Sequence, residues 1–147
     1  YGGTQYIAVG DGGTVLASAN ASAWVAAPAV TSAGLRGIAH AALTNTVDGT
    51  ISVTNVYVAV GERGTLLTSN DGATWTARAP LGTANLNAVI YGGQFVAVGD
   101  GGAIYTSPDG VTWTARASGT TRNLTALVRS LTGYLVVGDE GASLVSN

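Results

Sequence analysis

The chain has 147 residues and a net charge of −2, with 46% hydrophobic and only 10% charged residues. That balance suits one packed domain and excludes a disordered chain, and without clustered basic surface it argues against a nucleic-acid partner. No Cys is present, which removes disulfides and thiolate metal sites, and no apolar run approaches the length of a membrane-spanning helix.

The elements repeat along the chain. Tyr1-Gly2-Gly3 reads as the tail of a strand, because it aligns with Tyr91-Gly92-Gly93. "YIAVGDGGTVLAS" (Tyr6 to Ser18) follows and predicts two short strands around a turn at Asp11, and "SANASAW" leads on to Trp24. A further strand ends at His40. The stretch "TNTVDGTISVTN" (Thr44 to Asn55) then interrupts the pattern. It reads as a tolerated loop, with a strand extension or hairpin arm over Ile51 to Val53 as the alternative. "YVAVGERGTLLTS" (Tyr57 to Ser69) and "SNDGATWT" (Ser69 to Thr76) repeat the first set.

The third set is the fullest. "LNAVIY" (Leu86 to Tyr91), "QFVAV" (Gln94 to Val98), "AIYTS" (Ala103 to Ser107) and "VTWTAR" (Val111 to Arg116) are separated by Gly92-Gly93, "GDGG" and "PDG". Runs of Val, Ile, Tyr, Thr and Trp between Gly and Asp-Gly turns are hairpin signals, and their shortness argues against helix. "YLVVGDEGASLVS" (Tyr134 to Ser146) closes the chain. The Val-Gly pairs start at Val9, Val60, Val98 and Val137, at spacings of 51, 38 and 39.

These units predict an all-β chain of four-stranded antiparallel sheets, about four of them, arranged as blades of a β-propeller. They fall at roughly 1–34, 35–85, 86–123 and 124–147 of a single repeat domain, the first and last incomplete. A β-sandwich is the structural alternative. The second strand of each unit is apolar on both faces and needs cover on both sides. The first strand carries a small residue, Gly37, Ala88 or Ala126, as crowding near a common axis requires. With no Met and two open ends, the chain is expected to be a processed product or a piece of a larger propeller, or to pair with another copy through its end blades.

With the repeats laid out, the chain resembles the Asp-box (BNR-type) repeat propellers, which include sialidase-like proteins and the photosystem II assembly-factor family. The box falls on Ser69, Asp71, Gly72, Thr74 and Trp75, and again on Ser107, Asp109, Gly110, Thr112 and Trp113. Ser18, Asn20 and Trp24 form a worn first copy. The usual box has one more residue between Asp and Gly. Turn chemistry accounts for each position: Asp accepts amides two residues on, Gly takes the left-handed conformation, and Trp packs between blades. The resemblance implies a structural box lying away from any ligand site.

Strand parity puts the "GDGG" turns at the opposite end, the end that carries the ligand in sialidase-like propellers. Asp11, Glu62, Asp100 and Asp139 are therefore the candidate ligand-face residues. The competing reading is that Asp-Gly only makes a good turn, with Glu62 the one acid that suits a turn less well. No catalytic residues are assigned. The arginines fall at unrelated strand positions rather than as a carboxylate-binding cluster, and no paired-carboxylate setting stands out. One histidine, His40, builds no metal site, so neither metal nor cofactor is expected.

The expected function is a non-catalytic scaffold or binding module that holds a protein partner. A carbohydrate-binding propeller is the alternative, and a fragment of a sialidase-like glycoside hydrolase a weaker one. Thr, Ser, Asn, Gly and Ala in place of Lys suggest a secreted or cell-surface location, with the periplasm also compatible.

Overall fold

The computed structural model describes residues 5–146, so the strand-tail reading of Tyr1-Gly2-Gly3 lies outside the described residues. Four antiparallel sheets follow one another along the chain. The first holds β1 (Tyr6–Val9), β2 (Val15–Ser18) and β3 (Val25–Ala26); the second holds β4 (Leu35–Val47), β5 (Thr50–Gly61), β6 (Leu66–Ser69) and β7 (Thr76–Ala77). The third holds β8 (Leu86–Tyr91), β9 (Phe95–Gly99), β10 (Ile104–Ser107) and β11 (Thr114–Arg116); the fourth holds β12 (Leu124–Arg129), β13 (Tyr134–Gly138) and β14 (Ser143–Ser146). Within each sheet the strands pair in sequence order.

The sheets pack face to face, and the two-sided apolar strands explain how. In β9, Phe95 and Ala97 join the core shared with the second sheet, while Val96 and Val98 join the core shared with the fourth. Alternation along a strand sends successive side chains to opposite faces, so one strand serves two interfaces. Val58, Ala59 and Val60 of β5 are fully buried for the same reason. The small residue of the first strand is also accounted for: a β-carbon on Gly37 would sit 3.0 Å from the Val89 nitrogen and 3.1 Å from Ala88 Cα. Neighbouring first strands approach too closely for a larger side chain.

The interruption after His40 is not a loop. β4 and β5 run on in register from Gly37↔Val60 to Val47↔Thr50, turned by Asp48 and Gly49 at φ 50° and 76°. Positive φ at both positions is the tight hairpin turn that matches strand twist. His40 therefore lies mid-strand rather than at a strand end, bonded to Asn55 Oδ1 at 3.0 Å and stacked on Tyr57. The arm leaves Val47, Ile51 and Val53 exposed.

Candidate functional site

The two ends of the sheets do different work. At one end lie the turns between third and fourth strands. Asp71 Oδ1 accepts the amides of Ala73 and Thr74 at 2.8 and 2.7 Å and the Ser69 hydroxyl at 2.9 Å. Asp109 repeats this with Val111, Thr112 and Ser107. Asn20 does the same with Ser22 and Ala23 at 2.9 and 3.1 Å, without a charge. The amides of Thr74 and Ala73 hold the Asp71 carboxyl down to about 2. At Asp109 partial burial opposes the shift, but the Thr112 and Val111 amides and the Ser107 hydroxyl outweigh it, and the carboxyl is again lowered. Gly72 and Gly110 stand at φ 71° and 77° and accept the indole N–H of Trp75 and Trp113 on their carbonyls, at 3.2 and 3.0 Å. Thr74 and Thr112 enter through their amides. The Asp carboxylates, the Ser hydroxyls and the indole N–H groups of these turns are thus bonded within the turn.

At the other end lie Asp11, Glu62, Asp100 and Asp139, each opening a single 3-10 turn between second and third strands. The inter-sheet links lie beside them: the Glu62, Asp100 and Asp139 amides donate to the Gly34, Asn85 and Asn123 carbonyls at 2.9 Å. A β-carbon on Gly61, Gly99 or Gly138 would collide with that same carbonyl, which explains the Gly of the last three Val-Gly pairs; one on Gly10 would meet nothing within 4 Å. Asp11 and Glu62 flank Gly34, where a β-carbon would lie 3.3 Å from Asp11 Oδ1 and from Glu62 Oε1. Asp100 accepts the side-chain amides of Asn85 and Asn87 at 2.8 and 2.7 Å, and Asp139 accepts that of Asn123 at 3.0 Å. Asn85 and Asn123 also accept the backbone amides of Arg63 and Gly101, each in the preceding sheet's turn. Each Asn is a latch between adjacent sheets.

Glu62 now has a specific explanation. Its sheet has Gly34 where the next two have Asn85 and Asn123, so no side-chain amide is offered. The longer Glu reaches the Gly34 N–H itself, at 3.1 Å. That amide, opposed by partial desolvation and aided by Arg36, lowers the Glu62 carboxyl. Arg36 is 3.4 Å from Glu62 and donates to Asn87 Oδ1 at 2.9 Å. Arg36 and Asn87 are aimed there by a register shift at the start of the first strand, between Leu35 and Gly37 and between Leu86 and Ala88. A bulge re-aims a side chain in this way. The sequence reading missed Arg36, Asn85, Asn87 and Asn123. The matching position of Asn85 and Asn123 just before Leu86 and Leu124 was the available signal.

The arginines do not converge. Arg78 and Arg116 lie on outer strands and donate to Thr68 and Thr106 at 2.8 and 2.9 Å. Arg122 pairs with Glu140 at 3.3 Å and Arg129 lies over the Tyr134 ring. Among the described residues no group of three or more His, Cys, Asp or Glu is placed to hold a metal, and no helix is long and apolar enough to cross a membrane.

A groove of about 360 Å³ lies elsewhere, between the third and fourth sheets. Gln94, Val96, Ile104, Tyr134 and Leu144 line it, with Arg116 at its rim. It opens beside β14, whose far edge pairs with no strand among the described residues. One interface earlier the equivalent space is full. Val56, Val58, Phe95 and Tyr105, which correspond to Gln94, Val96, Tyr134 and Leu144 by the repeat, surround the turn at Gly110 and the ring of Trp113. Between the first and second sheets Gln5 holds the Gln94 position, and its amide donates to the Asp71 carbonyl at 2.6 Å.

Four antiparallel sheets set face to face around a crowded line of first strands define a β-propeller. The chain belongs to the DUF6242 beta propeller domain family, whose model matches residues 55–147. Two solved structures share the fold. One is YCF48 bound to a D1 peptide, with 21% identity and a TM-score of 0.64 over 92% of this chain and 45% of that one. The other is YCF48 from Cyanidioschyzon merolae, with 18% identity and a TM-score of 0.65 over 97% of this chain and 49% of that one. The chain thus spans just under half the length of the structures it matches. No curated protein matches it.

Proposed function

We propose that this propeller is a non-catalytic binding module that holds a polypeptide segment in the groove between the third and fourth sheets. The observation that carries the proposal is the repeat equivalence of that groove. Its lining occupies the positions that, one interface earlier, enclose an Asp-Gly-x-Thr-Trp-Thr segment of this chain. A guest of that chemistry seats an indole against Val96, Tyr134 and Leu144 and receives a hydrogen bond from Gln94 as Asp71 does from Gln5. YCF48, a propeller of the same fold, is solved bound to a peptide, which is consistent with this use of the architecture.

Absence of catalysis is part of the proposal. Its support is that Asp100 and Asp139 are spent on asparagine latches and Glu62 on the Gly34 amide. We further read the repeats as the Asp-box kind, supported by the shared geometry of Asp71 and Asp109, and place the module at the cell surface or in a secreted protein on its Thr, Ser and Asn-rich composition.

A dye-labelled peptide with the sequence of residues 109–116 tests the binding site by fluorescence anisotropy. Saturable binding is expected, with loss when the peptide's Trp is Ala. Ala117→Trp, an exposed substitution beside the groove, should fill it and abolish binding while leaving the circular dichroism spectrum unchanged. A flat titration with folded protein refutes the reading, and a glycan array that lights up instead favours the carbohydrate alternative.

A further inference from the structure

Trp75 sends its ring towards the first sheet. Alternation along the strand turns Thr74, Thr76 and Arg78 to the other face, where Thr76 lies beside Thr68 of β6. With Asp71 these side chains line a pocket of about 220 Å³ on the second sheet. Arg78 Nε donates to Thr68 Oγ1 at 2.8 Å, which fixes the guanidinium. Among the described residues its terminal nitrogens and the Thr76 hydroxyl have no bonded partner, and no acid pairs with it. The turn amides and the Ser69 hydroxyl use Asp71 Oδ1, so Oδ2 keeps accepting capacity. The second sheet already has a neighbour on each side, and the pocket stays open.

Thr106, Asp109, Thr112, Thr114 and Arg116 repeat the set on the third sheet, with Arg116 Nε on Thr106 at 2.9 Å. The first sheet shows that the fold does not require it. There β3 pairs with β2 in the same register, and the Ala27 N–H reaches the Val15 carbonyl as the Arg78 N–H reaches that of Leu66. Yet the matching positions hold Ala17, Asn20, Ala23, Val25 and Ala27. Ser18 and Trp24 stay, while Thr and Arg leave together with no bond in their place. A charge that guards an exposed edge accounts for an Arg alone, not for the hydroxyls that come and go with it. A guanidinium with an open edge binds a carboxylate through two parallel hydrogen bonds, and the hydroxyls and carboxylate beside it match hydroxyl groups on the same ligand. The volume lies below the roughly 300–1,000 Å³ of pockets for drug-sized ligands, so a single ring fills it. We propose that this pocket binds a uronic acid, a sugar ring whose carboxylate sits on Arg78 and whose hydroxyls meet Thr76 and Asp71. The site shares no residue with the groove between the third and fourth sheets.

Proton–nitrogen correlation spectra of the labelled chain, read at the amides of residues 74–78, test the site. Exposed ion pairs and a few hydrogen bonds give millimolar affinity, so each probe is titrated to about 50 mM. Glucuronate should shift these signals saturably. Methyl glucoside, which lacks the carboxylate, and acetate, which lacks the hydroxyls, should bind at least about tenfold more weakly. Methyl glucuronide separates the two sources of this chemistry: a response equal to that of glucuronate assigns the end of a glycan chain, and a response to glucuronate alone assigns the free sugar acid. Thr68→Ala, Thr76→Val and Arg78→Ala together copy the first sheet and should remove the response, while the rest of the spectrum reports that the chain is folded. Three results overturn the proposal: no saturable shift with glucuronate, acetate acting as strongly as glucuronate, or a response that survives the triple substitution.

Discussion

Trp75 offers the sharpest test of what holds the sheets together. Its ring is 5% exposed, lies 6.5 Å from the Tyr57 ring in an edge-on arrangement, and donates its N–H to the Gly72 carbonyl. An indole buries roughly 200 Å², worth about 5 kcal/mol at 25 cal/mol per Å². Ala keeps part of that contact and neighbours relax, so Trp75→Ala should cost about 3–5 kcal/mol. For a chain of this length that is a fall of about 10 °C in melting midpoint. Trp24→Ala, at the same repeat position but 41% exposed, should cost at most about half as much when measured at a concentration where the chain is monomeric. Trp75→Phe separates the two contributions: it keeps most of the apolar area and loses the N–H, at about 1 kcal/mol for the hydrogen bond. Guanidinium melts followed by circular dichroism measure all three. If Trp75→Ala and Trp24→Ala shift the midpoint equally, packing between neighbouring sheets is not what gives these residues their weight.

Two further predictions concern the turns. Glu62→Asp should destabilise, because the shorter carboxylate no longer reaches the Gly34 amide. Gly34→Asn alone should also destabilise, since a β-carbon there meets Glu62 Cδ at 3.2 Å and Asp11 Oδ1 at 3.3 Å. Together they recreate the Asp100–Asn85 latch, and a double-mutant cycle by urea melts should give a favourable coupling of at least about 0.5 kcal/mol; additive losses would refute the exchange. The second prediction is an acid response. Asp71 titrates at about 2 in the folded chain against an ordinary 3.8. Its contribution is fully present above the unfolded value and is lost as pH falls through that window towards about 2. Asp71→Asn should therefore lower stability at neutral pH and flatten its decline between about pH 4 and 2 in a urea-melt series. An unchanged slope would assign the acid sensitivity elsewhere.

The all-β class and the four successive sheets were legible because the repeat writes them four times, with period-two strands and Asp-Gly turns. What stayed hidden depends on departures from local pattern. The arm at Asp48-Gly49 carries a plain hairpin signal, but alignment of the repeats marks it as an insertion and hides that β4 and β5 simply continue. The aim of Arg36 and Asn87 rests on a one-residue register shift that no composition reveals. Glu62 looked like a retained charge because its reason lies 28 residues earlier, at Gly34, and a missing side chain leaves no mark in a motif. The open groove was invisible for the opposite reason: Val96, Ile104, Tyr134 and Leu144 each read as ordinary core.

The same logic bears on where this propeller can do its work. A repeat position that serves identical bonds in several sheets is committed to the fold, whatever its charge. The acids at Asp100 and Asp139 meet that test, since each takes an amide from an Asn that also bridges to the neighbouring sheet. To offer either carboxylate to a ligand, the chain would have to give up a latch between two sheets. Gln94 differs. Its counterpart Gln5 holds a neighbouring turn, whereas Gln94 lines an open groove. Binding there releases no existing bond. A partner in the groove would leave the latches intact, whereas one held by Asp100 or Asp139 would break them.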